Sequence, residues 1–258
     1  MTSDLTREKS QRLLALHTDP DLLVVVNVWD VASAKVVADL PGCRALATAS
    51  HSIAASAGYP DGEAIPMTEM ITAVGRIAAA TDLPVSADLE AGYGDPGEAV
   101  RRALDVGVVG ANLEDQMQPL AASVAAVTAA VSAAGDSGFV LNARTDAFLK
   151  AGARDPKDVL ADAIERGRAY LDAGAACVFV PGKLDRPTVA ALVEGLGDRR
   201  LSVIAVPGSL PLSELAELGV ARVSFGPWTQ RLALTALADA GSAMLAGGSL
   251  PSGVRALN

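Results

Sequence analysis

The sequence predicts an α/β fold, a (β/α)8 barrel of the TIM type with a short N-terminal helix, spanning residues 1–258 as one domain. Short apolar runs alternate with longer helical patterns along the chain, giving eight strand–helix units. The runs are apolar throughout instead of alternating, the mark of parallel strands buried on both faces. The length, 258 residues, suits a barrel that uses about 250 as one domain. A doubly wound open sheet is the alternative. No Gly-x-Gly-x-x-Gly follows the first strand, which weakens the dinucleotide-binding version of it.

Residues 4–17 form the leading helix. LLVVVNV (22–28) is the first strand, and VASAKVVADL (31–40) is a helix N-capped by Asp30. ALATA (45–49) is the second strand, and a polar loop containing Gly and Pro runs from it to about Pro66. A helix over 67–80 precedes the third strand, PVSADL (84–89), and PGEAVRRALDVG (96–107) is a helix stopped by Gly107. ANLED (111–115) and FVLNAR (139–144) are strands four and five, with an Ala/Val helix over 120–134 between them. An amphipathic helix over 156–173 stops at Gly174. CVFV (177–180), LSVIAV (201–206) and ARVSF (221–225) complete the eight, each followed by a helix, the last over 227–246 before a Gly/Ser tail.

Half the residues are hydrophobic and only 3% aromatic, so Ala, Val and Leu must fill the core. Lys and Arg number 21 against 30 acids, giving −9. That balance opposes a phosphate-backbone footprint, and no nucleic-acid partner is expected. The first residues are polar and carry acids, unlike a signal or transit peptide. The run 22–28 is too short to span a bilayer and is broken by Asn27. A cytoplasmic protein with no membrane partner is expected. Two cysteines, Cys43 and Cys177, make no disulfide framework. With His17 and His51 the only histidines, a zinc site cannot be assembled. A bound metal should be a hard cation held by carboxylates and water, Mg²⁺ or Mn²⁺.

In such barrels chemistry sits where strands end and βα loops begin. Strand three ends with Asp88 and Glu90, strand four with Asn112 and Glu114, strand five with Asn142 and Arg144. Each pair is two apart and, in an extended chain, faces one way. Three acids on neighbouring strand ends repel one another unless a cation sits between them, and Mg²⁺ answers that need. Arg144 can grip a substrate carboxylate through its planar fork. The structural alternative has the acids capping helices or pairing with Arg101 and Arg102, and Arg144 satisfied by Glu114. Cys43 and Cys177 flank the far ends of their strands and read as buried structural thiols. His51, just past strand two, is either an acid–base group or a solvated loop histidine. Tyr93 is placed to donate from the lip of the cleft.

The run SADLEAGYGD (86–95) resembles the Asp-x-Asp/Glu-x-Gly-Tyr/Phe-Gly signature of the isocitrate lyase/phosphoenolpyruvate mutase family. NLEDQ (112–116) resembles its strand-four motif, NARTDAF (142–148) its strand-five motif, and 27–42 and 47–63 its first two strand–loop units. The resemblance covers most of residues 20–150 and the rest more loosely. It implies Mg²⁺-dependent making or breaking of a C–C or P–C bond of a small 2-oxo or 2-hydroxy acid through an enolate. Carried over by position, it makes Asp88 the principal metal ligand, with Glu90 and Glu114 binding directly or through water. Arg144 and Asn142 would serve the substrate, with Thr48, Ala49 and Ser50 supplying donors and Asp61 standing near the site. It also implies a homo-oligomer.

The departures limit the substrate. Isocitrate and methylisocitrate lyases follow the strand-four motif with a lid rich in Lys, Cys and His, and the phosphonate enzymes place Lys and Asn there. This chain runs EDQMQPLAASVAAV, with none of them, and strand six ends Val180-Pro181-Gly182 without His. That argues against isocitrate lyase activity. Two other classes compete with the metal-dependent enzyme: a Schiff-base aldolase using Lys183, and a non-catalytic member that binds a small carboxylate.

Overall fold

The computed structural model describes residues 4–257. Its strands, all parallel, are β1 (Leu23–Val25), β2 (Asn27–Val28), β3 (Leu46–Thr48), β4 (Val85–Asp88), β5 (Gly110–Glu114), β6 (Val140–Arg144), β7 (Cys177–Val180), β8 (Leu201–Ile204) and β9 (Arg222–Ser224). The expected first strand is split at Val26 into β1 and β2, which accounts for the ninth label. β1 pairs with β9 and β2 with β3, so the one strand joins both ends of the sheet. Asn27 spans this seam. Its Nδ2 donates to Thr48 O at 2.8 Å, and its Oδ1 accepts from the Phe225 and Gly226 amides at 2.7 Å each. The TIM-type barrel predicted from sequence is therefore the observed architecture.

The helices are α1 (Asp4–Thr18), α2 (Val31–Ala38), α3 (Ser50–Ser56), α4 (Met67–Ala79), α5 (Pro96–Asp105), α6 (Leu120–Ala134), α7 (Pro156–Asp172), α8 (Arg186–Leu196), α9 (Leu212–Glu217) and α10 (Trp228–Leu245). Asp30 caps α2 in a reciprocal capping box with Ser33, as expected from sequence. Asp95, Asp155 and Asp185 cap α5, α7 and α8, each with Pro in the first turn, where a missing N–H costs nothing. One expectation fails: the polar loop proposed between the second strand and Pro66 contains α3. Its sequence, SHSIAAS, is too short and small to show a period, and it is held as a helix by packing of Ile53 and Ala54 into the core. The 18-residue stretch Leu120–Ser137 is long and apolar enough to cross a membrane by composition alone. In this fold α6 packs in the outer ring between α5 and α7, and its buried residues include Val127 and Ala130.

The core is built mainly of Ala, Val and Leu as expected, but the lumen of the barrel is polar. Asn142 on β6 reaches Ser202 on β8 (3.4 Å), and Arg222 on β9 reaches Ser86 on β4 (3.1 Å), contacts that only the lumen permits. The aliphatic residues pack instead between the sheet and the helices. The N-terminal end of the barrel is closed by α1, whose Leu13 and Leu16 join Leu23, Val25, Val109 and Val140 in one cluster. Gly110 makes that approach possible: a Cβ there would stand 2.7 Å from Leu13 Cδ2 and 2.8 Å from Val140 O. Leu13→Ala should therefore cost about 2–5 kcal/mol in urea denaturation, the range for a buried leucine that leaves a cavity. A loss below about 1 kcal/mol would show that α1 is not part of the folded core.

Candidate functional site

A cavity of about 320 Å³ opens at the C-terminal ends of the strands. Thr48, Ala49, Ser50, His51, Asp61, Asp88 and Arg144 all line it, so seven residues expected from the sequence meet in one place. Register explains part of this: Asp88, Asn112 and Asn142 are neighbours across β4, β5 and β6, and Glu114 stands beside Arg144 one layer further out. Asp88 Oδ2 accepts from the Ser50 amide (3.1 Å) and hydroxyl (2.8 Å), while the Asp88 amide donates to Thr48 Oγ1 (3.0 Å). The donors of Ser50 are thus spent on Asp88. Asn142 lies deeper, fully buried, donating to Asn112 Oδ1 at 2.7 Å. His51 lines the cavity from α3, and among the described residues its buried Nδ1 has no hydrogen-bond partner.

The placements of Glu90, Tyr93 and Glu114 differ from the expectation. Asp88 and Glu90 do not face one way, because β4 ends at Asp88 and Glu90 adopts a left-handed conformation (φ 52°). Its carboxylate accepts from the Glu63 amide and, at 3.2 Å, from the Tyr93 hydroxyl. Tyr93 therefore spends its donor on Glu90 and does not line the cavity. Glu114 faces a separate crevice of about 100 Å³ against α6, with Arg144 forming the wall between the two spaces.

Arg144 Nη1 pairs with Glu114 Oε2 and Nε with Asp146 Oδ1, both at 2.7 Å, with the guanidinium 6.0 Å from the Phe179 ring centre. Arg101 and Arg102 take no part; they pair with Glu98. The strand-four and strand-five loops are tied together by buried Asp115. It accepts from the Met117 and Asp146 amides (2.9 and 3.0 Å), from Tyr170 Oη (2.7 Å) and from Arg166 Nη1 (3.2 Å). Among the described residues, six non-glycine residues have left-handed backbone, and Glu63, Glu90, Tyr93, Gln116 and Met117 all border this end of the barrel. Such conformations cost about 1–2 kcal/mol each and persist where surrounding contacts over-determine them.

Burial raises the Glu90 carboxyl to about 7, with Asp88 and Asp61 adding repulsion against the Glu63 amide. Burial likewise raises Glu114 to about 7; Arg144 opposes this, and Asp146 and Asp88 reinforce it. Burial disfavours the charge of Arg144, yet Glu114, Asp146 and Asp88 outweigh it and raise its pKa. The mouth is thus short of positive charge. For a hard cation the donors fit in kind: Asp88 lines the cavity, and Mg²⁺ commonly takes one or two carboxylates with water completing its shell. They do not fit as a direct three-acid cage. Among the described residues no three His, Cys, Asp or Glu side chains gather for that purpose, since Glu90 turns to Glu63 and Glu114 to Arg144.

The sequence pattern described as phosphoenolpyruvate phosphomutase matches residues 13–245. The chain belongs to the phosphoenolpyruvate phosphomutase family. An uncharacterized protein of Mycobacterium tuberculosis (strain ATCC 25618 / H37Rv) is 34% identical over 245 residues, 93% of this chain and 91% of its own length. The solved structure of a protein from Burkholderia cenocepacia J2315, provisionally described as a phosphonomutase, is 37% identical with a TM-score of 0.86, covering 94% of this chain and 100% of that one. Oxaloacetate acetylhydrolase in complex with its product oxalate is 26% identical with a TM-score of 0.86, covering 96% and 91%. The family unites lyases and mutases of the phosphoenolpyruvate mutase/isocitrate lyase type, as the sequence motifs implied.

Sequence reasoning passed over Asn27, Phe179 and Arg231, which also line the cavity, and marked Asn112 only as a polar strand end. Asn112 was visible at period two from Glu114. Arg231 was not, because a lone arginine in a helical pattern carries no signal. Cys43 and Cys177 stay outside, and burial pushes the Cys177 thiol up to about 12. Glu90 gives a prediction with a definite sign. A carboxyl whose pKa is raised on folding contributes stability below its unfolded value, and that contribution is lost as pH rises through about 7. Without divalent metal, Tm should fall between pH 5.5 and 8, and Glu90→Gln should flatten the fall. Parallel profiles for both proteins would show that Glu90 ionises normally.

Proposed function

We propose that this chain is a cytoplasmic, divalent-metal-dependent lyase or mutase that makes or breaks a C–C or P–C bond of a small 2-oxo or 2-hydroxy acid. The observation carrying this reading is that Asp88 and Arg144 line one cavity, a hard oxygen donor and a planar cation within one small-molecule volume. Arg144 holds the substrate carboxylate through the part of its fork not committed to Glu114 and Asp146. Asp88, fixed by both donors of Ser50, is the direct ligand for Mg²⁺ or Mn²⁺, and Glu114 and Glu90 act on it through water. When bound, the metal supplies charge stabilisation to an enolate oxygen formed as the bond breaks. His51, with its unpartnered Nδ1, and Asp61 are the groups placed to exchange a proton with the substrate carbon.

A non-catalytic carboxylate binder is the second reading, favoured by the short strand-four loop that lacks Lys, Cys and His. A Schiff-base aldolase is weaker, since Lys183 does not line the cavity. We also propose a homo-oligomer. Only Gln230 of α10 is buried, and Leu234, Leu237 and Leu245, on one side of the helix, stand more than half exposed, a face suited to another copy. Turnover of a panel of 2-oxo and 2-hydroxy acids with and without Mg²⁺ separates enzyme from binder.

Binding tests the site itself. In Mg²⁺, Arg144→Ala should weaken oxalate about 10- to 150-fold, the worth of a charge-assisted pair, and Arg144→Lys should recover only part. Asp88→Ala should abolish calorimetric Mg²⁺ binding in the presence of oxalate. Wild-type affinity for oxalate in Arg144→Ala, or for Mg²⁺ in Asp88→Ala, would remove that residue from the site.

A further inference from the structure

Arg166 and Tyr170 lie one turn apart on α7, in the outer ring, and both are buried. Neither lines the cavity that holds Asp88 and Arg144. Their polar atoms nevertheless turn onto one buried carboxylate. Tyr170 Oη donates to Asp115 Oδ2 at 2.7 Å, and Arg166 Nη1 donates to the same oxygen at 3.2 Å. Burial, and next the charge of Asp115, raises the Tyr170 hydroxyl far above its usual range, so it remains a donor. Arg166 is held from its other side by Asp162, whose Oδ1 accepts from Nε at 2.9 Å. A buried ion pair is often no more stable than apolar residues of the same size, so stability alone does not account for this one.

The other oxygen of Asp115 carries the geometry of α7 to the mouth. Oδ1 accepts from the Met117 and Asp146 amides at 2.9 and 3.0 Å, and the Asp115 amide donates to Arg144 O at 3.0 Å. Asp146, placed through its amide, takes Arg144 Nε on its own Oδ1 at 2.7 Å. The strand-four loop is pinned along its length. Arg166 Nη1 donates to Gln118 O (3.0 Å), the Gln118 amide to Asp115 O (2.8 Å), and Lys150 Nζ to Gln116 O (2.8 Å). Arg144 has Nε on Asp146 and Nη1 against Glu114, while its Nη2 makes no hydrogen bond among the described residues. The direction in which that free end of the fork points is set by a chain of hydrogen bonds that begins on α7.

Building on the function proposed above, we propose that Tyr170 and Arg166 are positioning residues for Arg144, holding its guanidinium through Asp115 and Asp146 at the angle in which it takes a substrate carboxylate. Neither touches the substrate. The affinity of the mouth for an anion is then set from the outer ring. Asp88 lies outside this chain, since its carboxylate is fixed by Ser50. A charge-assisted contact to a planar fork depends on alignment, so loss of the relay is read as weaker carboxylate binding.

Dissociation constants for oxalate in Mg²⁺ would be measured calorimetrically for wild type, Tyr170→Phe and Arg166→Met, and for Arg144→Lys with and without Tyr170→Phe. Tyr170→Phe and Arg166→Met should each weaken oxalate about 3- to 10-fold, the worth of one hydrogen bond. Tyr170→Phe removes a single oxygen and keeps the ring, so it carries the test whether or not Arg166→Met folds. In the Arg144→Lys background no Nε meets Asp146, and Tyr170→Phe should cost nothing further. That non-additivity marks residues acting through one another, and a general loosening of the fold would not produce it. Equal losses in both backgrounds, or wild-type affinity in Tyr170→Phe, would overturn the relay while leaving the Asp88–Arg144 site standing. Undiminished oxalate affinity in Arg144→Ala, or no binding by wild type, would instead overturn that site, and this inference with it.

Discussion

The buried guanidinium of Arg144 is the interaction on which this end of the barrel depends. It meets Glu114 from the neighbouring strand and Asp146 from the following loop, each at 2.7 Å, and Asp88 lies close enough to add to its charge. Removing so many acids from water would be prohibitive without it. Burial raises the Glu90 and Glu114 carboxyls to about 7, and at Glu114 the pull of Arg144 is not enough to reverse it. A divalent cation would supply what one arginine does not. The same deficit that makes the site costly in isolation makes it a receptor for positive charge.

Arg144 is itself held by a second layer. Asp115 takes the Asp146 amide, and Asp146 takes Arg144 Nε, so the conformation of one loop fixes the fork of an arginine on the strand before it. Asp115 is oriented by Tyr170 and Arg166, both on α7. A helix in the outer ring thereby positions a side chain in the mouth. The left-handed backbone at Gln116 and Met117 is sustained by this network, since Met117 donates its amide to Asp115. Backbone strain and buried charge are concentrated where a ligand would bind, and the opposite end, plugged by α1, is aliphatic. Stability and chemistry occupy opposite ends of one barrel.

The seam of the barrel links fold to site. Asn27 joins β2 to β3 on one side and to the β9–α10 turn on the other, and it also lines the cavity. One amide side chain therefore ties the seam, closed by the β1–β9 and β2–β3 pairings, to the start of α10, which Thr229 and Gln230 also anchor. Arg231 inherits its place from that bond, one turn into a helix whose remaining length projects from the barrel.

The sequence by itself determined the architecture and the strand ends. Eight apolar runs, their helices, and the period-two pairs Asn112/Glu114 and Asn142/Arg144 were legible because each depends on local periodicity and on the rule that parallel strands are buried. The ordered motifs over residues 27–148 determined the family, since they record chemistry as well as fold. Tertiary structure alone decided which acids face which space. Glu90 left the expected face because the strand stopped at Asp88, one residue before its predicted end, and a single left-handed residue reverses a side chain without changing composition. The polar lumen was hidden because Ser86, Ser202 and Arg222 lie in runs whose neighbours are apolar, and burial on the inner face has no sequence signature of its own. Arg231 was hidden for the opposite reason: it is ordinary in its helix, and becomes part of the site only when the ring closes and brings residue 231 beside residues 51 and 144. Local order is written in the order of residues. Convergence across a closed barrel is a property of the ring.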